Sequence, residues 1–226
     1  YSLIHGSGLM IGMGGGTKYS IQNIQGDRRE ANRIFTNAVL LAGVFATFFV
    51  LAGIFLAGPI TSVLGADDRV FRMTETYLKV LLLFSPAFLM NNVLLCFVRN
   101  DGAPQLSMAA MTGGSLSNIV LDYVFIFPCG MGIFGAVLAT GMAPLISMLI
   151  LSLHFVRRKS NFCFVKGRLG VSRITGIITS GFPSLVTELS SGIVMLVFNF
   201  IILRLQGNVG VAAYGVIANL SLVIMS

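Results

Sequence analysis

The twenty residues from Ala38 to Ala57 contain one polar side chain, Thr47. An α-helix rises ~1.5 Å per residue, so this run alone can cross a hydrocarbon core of ~30 Å. It belongs to a series of seven apolar segments, at about 1–23, 34–57, 77–98, 105–127, 131–156 and 177–203, with the last starting near 209. Inside lipid only helices and closed barrels satisfy every backbone group. Runs this long exceed the ~9–11 residues of a barrel strand, which leaves helices. The expected fold class is all-α, a polytopic transmembrane helical bundle.

Composition agrees. Hydrophobic residues make up 55% of the 226 and charged residues only 10%, against about 25% charged in a soluble domain. Mean hydropathy is +0.89. An ordinary soluble domain, a disordered chain and a coiled coil are thereby excluded. The 26 glycines have no triplet period, which excludes collagen. Gly8, Gly12 and Gly16 recur every fourth residue, on one helix face, where a neighbouring helix can approach closely. The chain starts without Met inside an apolar run and stops inside another, so it is expected to be part of a longer protein.

The net charge of +7 is read as topology and anionic lipid, not nucleic acid, because the basic residues lie between apolar runs. Lys18, Arg28, Arg29, Arg33, Arg99, Arg157, Arg158, Lys159, Lys166, Arg168 and Arg173 fall on one side of the alternating loops. Only Arg69, Arg72, Lys79 and Arg204 fall on the other. The positive-inside rule makes the first side cytoplasmic. The long basic loop 157–176 reads as a linker between two helical units, 1–156 and 177–226. Its 171–178 end suits either a short interfacial helix or an extension of the next helix. Pro86, after Ser85 in the third segment, and Pro144, in the fifth, are candidate hinges, since each removes a backbone hydrogen bond.

Two acids lie within apolar runs, Asp122 and Glu188. Such a charge costs roughly 2.5–3.5 kcal/mol at a helix centre, which makes it a functional candidate. Burial makes a bare carboxylate costly, and a bound cation or proton relieves that cost. Asn118 shares a face with Asp122, and Ser115 continues it. Asn118 and Thr140 are each 11 residues from Cys129, near which the chain turns back. Antiparallel helices then place them at similar depth, with Asp122 ~6 Å nearer the outer surface. A carboxylate, an amide oxygen and a hydroxyl are hard ligands suited to an alkali cation such as sodium, or to a proton relay. Glu188 sits about 11 residues into the sixth segment, and Met195 and Asn199 continue its face at helical spacing. With Asn91 and Asn92, these are candidate walls of a substrate cavity. Eleven Met and eighteen Phe add adaptable apolar surface.

Enzyme chemistry finds little support. HExxH is absent, Asp67-Asp68 is a lone acidic pair, and GMGGGTK lacks phosphate-loop spacing. His5 and His154 lie near segment ends. Cys96, Cys129 and Cys163 are scattered, without CxxC. No organic cofactor is expected.

The run NIVLDYVFIFPCGMGIFGAVLAT (118–140) resembles the junction of the fifth and sixth helices in the multidrug and toxic compound extrusion (MATE) family of cation-coupled antiporters. The stretches at 24–35, 64–80, 99–108 and 180–193 are similar to that family too. The resemblance implies two six-helix lobes, with this chain running from the second helix into the eighth. It implies a cation site at Asn118, Asp122 and Thr140, and a second acidic position at Glu188. It further implies exchange of sodium ions or protons for amphipathic, often cationic compounds, by a monomeric protein of the plasma (bacterial inner) membrane. A flippase for lipid-linked precursors, in the same superfamily, would need a basic cavity, whereas the intramembrane charges here are acidic.

Overall fold

The computed structural model describes residues 1–63, 68–156, 161–165 and 170–225, without the side chains of 60, 62, 63, 68–70, 199 and 203–225. Every regular element among them is a helix: α1 (Ser2–Ile24), α2 (Arg28–Phe55), α3 (Ala57–Val63), α4 (Asp68–Leu83), α5 (Ser85–Asn100), α6 (Pro104–Ile126), α7 (Gly132–Val156) and α8 (Val171–Met225).

Helix α2 shows why the chain needs lipid. Its buried face sets small residues, Ala31, Ala38, Ala42, Ala46 and Gly53, beside Ile34, Phe35, Leu41 and Phe49. Its other face carries Leu40, Val44, Phe48, Leu51 and Phe55, all 44–72% exposed. Large apolar side chains on the outer face are the pattern of a helix solvated by hydrocarbon, and the small residues inside let neighbouring backbones approach closely. Four helices, α2, α6, α7 and the Val171–Ile202 part of α8, are long and apolar enough to span a membrane. The bent pair α4–α5 makes a fifth if it is one span.

The third apolar segment is those two helices. The chain breaks at Phe84, with Ser85-Pro86 opening α5 and a 44° bend between the halves. Proline fits a first helical turn, where its missing N–H has no intrahelical acceptor. Pro144, by contrast, lies buried within an uninterrupted α7.

Helix α1 packs between α5 and α8 and also touches α2. Gly8 and Gly12 lie against Asn92 and Cys96 of α5, and Gly16 lies against Asn100. A methyl group on Gly12 would come within 2.8 Å of the Asn92 carbonyl oxygen. On another face, Gly14 meets the Ile177 carbonyl and Gly181 of α8 meets the Met10 carbonyl, backbone against backbone. The glycines at every fourth position therefore face α5, while a second set faces α8.

Helix α8 begins at Val171, so of the two alternatives for residues 171–178 the structure has the extension of the helix. It differs from the expected segmentation farther along, where it continues through 204–208, joining the sixth and seventh apolar segments. No proline interrupts Arg204–Asn208, and a single glycine costs a helix only about 1 kcal/mol.

Candidate cation and substrate site

Helices α6 and α7 form an antiparallel hairpin whose turn carries Gly130 and Gly132 at positive φ, 62° and 56°. Side chains rarely adopt that conformation, so glycine permits the tight reversal. Two close approaches fix the register. Gly135 lies against Phe125 near the turn, and Gly114 lies against Ala143 and Ser147 farther along. Between them, Thr140 falls at the level of Asn118, with Asp122 one turn nearer the hairpin.

The polar atoms here are unusual. Five buried side-chain atoms lack a hydrogen-bond partner among the described residues: Ser85 Oγ, Asn91 Oδ1, Asn118 Nδ2, Asp122 Oδ1 and Ser147 Oγ. All five lie on α5, α6 and α7. An unsatisfied buried polar group costs about 1–3 kcal/mol, and more when charged, so stability alone does not account for five of them on three helices. Thr140 donates its hydroxyl proton back to the Ala136 carbonyl at 2.9 Å. That bond leaves the Thr140 oxygen lone pairs for another partner. The Asn118 amide can turn either its oxygen or its NH2 toward the same space.

The broken helix reaches this level as well. The Phe84 ring packs where Gly141, next to Thr140, leaves room for it. Tyr77 of α4 lies within electrostatic reach of Asp122. A cavity of about 380 Å³ beside Tyr77 is lined also by Arg72, Thr76 and the 130–134 turn.

Glu188 lies elsewhere. Helix α8 packs on α1 and α2 and makes no packing contact with α6 or α7 among the described residues. The Glu188 carboxylate is half-buried and pairs with His5 Nδ1 at 3.2 Å, across the α1–α8 seam. Tyr1 stacks on His5 and is within electrostatic reach of both Glu188 and Tyr77. The two acids thus face different neighbours.

The remaining candidates separate similarly. Asn91 is half-buried, whereas Asn92 is buried in the α1–α5 contact. Ser115 is exposed on α6, and Met195 is 41% exposed on α8. The side chain of Asn199 lies outside the described residues. Sequence reasoning passed over His5 and Tyr77. Each is a polar group within or at the edge of an apolar run, the same signal that marked Asp122.

No cluster of three His, Cys, Asp or Glu side chains capable of holding a metal is present among the described residues. One carboxylate with neutral oxygens suits a weakly held hard cation and not a transition metal.

The sequence profile of the MatE family matches residues 2–124. The chain belongs to the MatE family. It is 28% identical over 222 residues to the multidrug export protein MepA of Staphylococcus saprophyticus, covering 96% of this chain and 48% of that protein. Against MepA of Staphylococcus aureus strain MRSA252 it is 27% identical over 221 residues, again with 96% and 48% covered. The fold superposes with a TM-score of 0.83 on the inward-facing conformation of a multidrug resistance MATE family transporter of the MOP superfamily, at 26% identity, over 94% of this chain and 49% of that one. This MatE chain therefore spans about half the length of the curated relatives it matches. It is an integral membrane protein whose relatives are named as export proteins.

Proposed function

We propose that the full-length protein is a secondary active multidrug exporter of the plasma membrane, exchanging inward sodium ions or protons for amphipathic, often cationic compounds by alternating access. In this reading residues 1–156 belong to the first lobe, 157–176 link the lobes, and 177–226 open the second. The observation that carries the proposal is Asp122, an intramembrane carboxylate with one buried oxygen lacking a partner, on a hairpin that sets Asn118 and Thr140 at one level.

A cation or proton at Asp122 removes the penalty of a bare buried charge. That favours whichever packing of α6, α7 and α4–α5 best encloses the neutral pair, and such differential binding shifts a two-state equilibrium. Pro144, one turn beyond Thr140, is a place where α7 can absorb the change as a bend, and the Ser85-Pro86 break serves α4–α5 in the same way. Glu188 supplies a second negative charge, suited to attracting cationic substrates. The test is export of a fluorescent organic cation from vesicles containing the full-length protein, with sodium and proton gradients imposed separately. Export driven by either gradient supports the reading. Export of a neutral lipid-linked sugar, with no organic cation moved, would replace it with the flippase.

A further inference from the structure

The basic end of the bundle holds a carboxylate provided for quite differently from Asp122, which is only half-buried. The Asp101 side chain is fully buried. It accepts hydrogen bonds from Tyr19 Oη at 2.6 Å, His154 Nε2 at 2.9 Å, the Asn161 backbone N–H at 2.8 Å and Asn161 Nδ2 at 3.1 Å. Tyr19 comes from α1, Asp101 from the end of α5, His154 from the last turn of α7, and Asn161 from the segment between α7 and α8. Next to it Phe162 is 1% exposed, enclosed by Tyr19, Phe35, Phe97, His154 and Phe155.

Three side chains of α2 complete the arrangement. Asn32 Oδ1 accepts from the Cys163 N–H at 2.9 Å, Thr36 Oγ1 from the Val165 N–H at 3.1 Å, and Asn37 Oδ1 from the Gly170 N–H at 3.2 Å. A chain that served only as a flexible tether would have no reason to bury an aromatic ring or to direct its backbone N–H groups at successive side chains of one helix. Each such bond to an ordered segment must offset the entropy of fixing it.

We infer that residues 161–165 are built into the first lobe as a seated strap, held by Asp101 and the α2 side chains, and that they remain seated while the lobes move. The Gly170–Asn37 bond and the Arg173–Glu30 ion pair hold the chain on α2 farther still, so relative motion of the second lobe begins beyond Arg173. Asp101 and His154 are positioning residues in this scheme: they hold the strap and touch neither ion nor substrate. The inference rests on the alternating-access reading for its consequence, and on the hydrogen bonds alone for the seat.

The test uses the full-length protein with Cys129→Ser and any other exposed cysteine outside this chain replaced, keeping Cys163 and the buried Cys96. Asn32→Cys then places a second thiol against Cys163. Intramolecular cross-linking by oxidation, or with a short bis-thiol reagent, is expected. It should have the same yield in sodium, at low pH and with a transported cation, and export should survive cross-linking. Asn32→Cys with Cys163→Ser is the blank. Ser2→Cys with Gly192→Cys, across the α1–α8 seam where those residues meet, should by contrast abolish export on oxidation and regain it on reduction. Asp101→Ala should lower the 32–163 yield about tenfold by orphaning the donors of the seat.

Absence of cross-linking would overturn the seat. A yield that collapses with ion or substrate, or export lost on oxidation and restored by reductant, would show that the strap leaves its seat during the cycle. If the unmodified protein moves no cation at all, the exporter reading falls, while the yields still decide the seat.

Discussion

Asp122 and Asp101 are both carboxylates shielded by helices of the same bundle, and they are provided for in opposite ways. Asp101 has four hydrogen bonds from three separate elements and no unmet oxygen. Asp122 has a buried oxygen with no partner among the described residues. Satisfied carboxylates rigidify a structure, because each donor specifies a position. An unsatisfied one raises the energy of the empty state and so rewards any cation or proton that arrives. Burial alone therefore does not distinguish a structural acid from a working one. In the proposed reading the hydrogen-bond inventory does.

The comparison breaks most decisively at Asp122. Asp122→Asn keeps the size and removes the charge, so gradient-driven export should fall to the level of protein-free vesicles while abundance and thermal midpoint stay those of the unmodified protein. Wild-type coupling in this variant would make Asp122 structural and move coupling to Glu188. Asp101→Ala should do the reverse. It orphans Tyr19, His154 and Asn161, costing about 3 kcal/mol and reducing membrane abundance several-fold, with the molecules that do fold still responding to sodium or proton gradients. Thermal unfolding in detergent, alongside export normalised to protein amount, separates the two outcomes.

A smaller effect is expected at the seam. Gly181→Ala drives a methyl group into the Met10 backbone, and α1 and α8 must part to admit it. The cost should be about 1–3 kcal/mol in thermal stability. Gly43→Ala is the matched control, since nothing lies within 4 Å of its added methyl. It should be neutral or slightly stabilising, because alanine loses less backbone entropy in a helix than glycine. Equal destabilisation by both would mean that glycine serves flexibility in this chain and not close approach.

The membrane helices, the break at Ser85-Pro86 and the glycine face of α1 were legible because each is a local pattern. Period, proline position and four-residue spacing need no knowledge of a partner. The intramembrane acids were legible for the same reason, since a carboxylate in an apolar run is conspicuous alone. The Asp101 seat was not. Its partners lie up to 82 residues from Asp101 along the chain, and each alone reads as a loop acid, a helix-end histidine or an ordinary tyrosine. The His5–Glu188 pair spans 183 residues and was hidden likewise. The joining of the sixth and seventh segments was missed because Arg204, a charge between two apolar runs, reads as a loop, although nothing there obliges a helix to end.

The finest discrimination falls on Thr140. Its hydroxyl proton is already engaged by Ala136, so toward the α6–α7 interior it can act only as an acceptor, as a cation requires and as a second hydroxyl donor would not. Removing that oxygen in Thr140→Ala takes one neutral ligand from a site whose charge is supplied by Asp122. The loss should be about 1 kcal/mol, a roughly fivefold rise in the sodium concentration or proton activity needed for half-maximal export, with the maximal rate nearly unchanged. Thr140→Ser restores the oxygen and should restore the affinity. Thr140→Val keeps the shape, removes the oxygen and should behave as alanine does. If Val matched wild type, the residue would be serving packing against Phe84 and α6, and the cation site would have to be completed by Tyr77 instead.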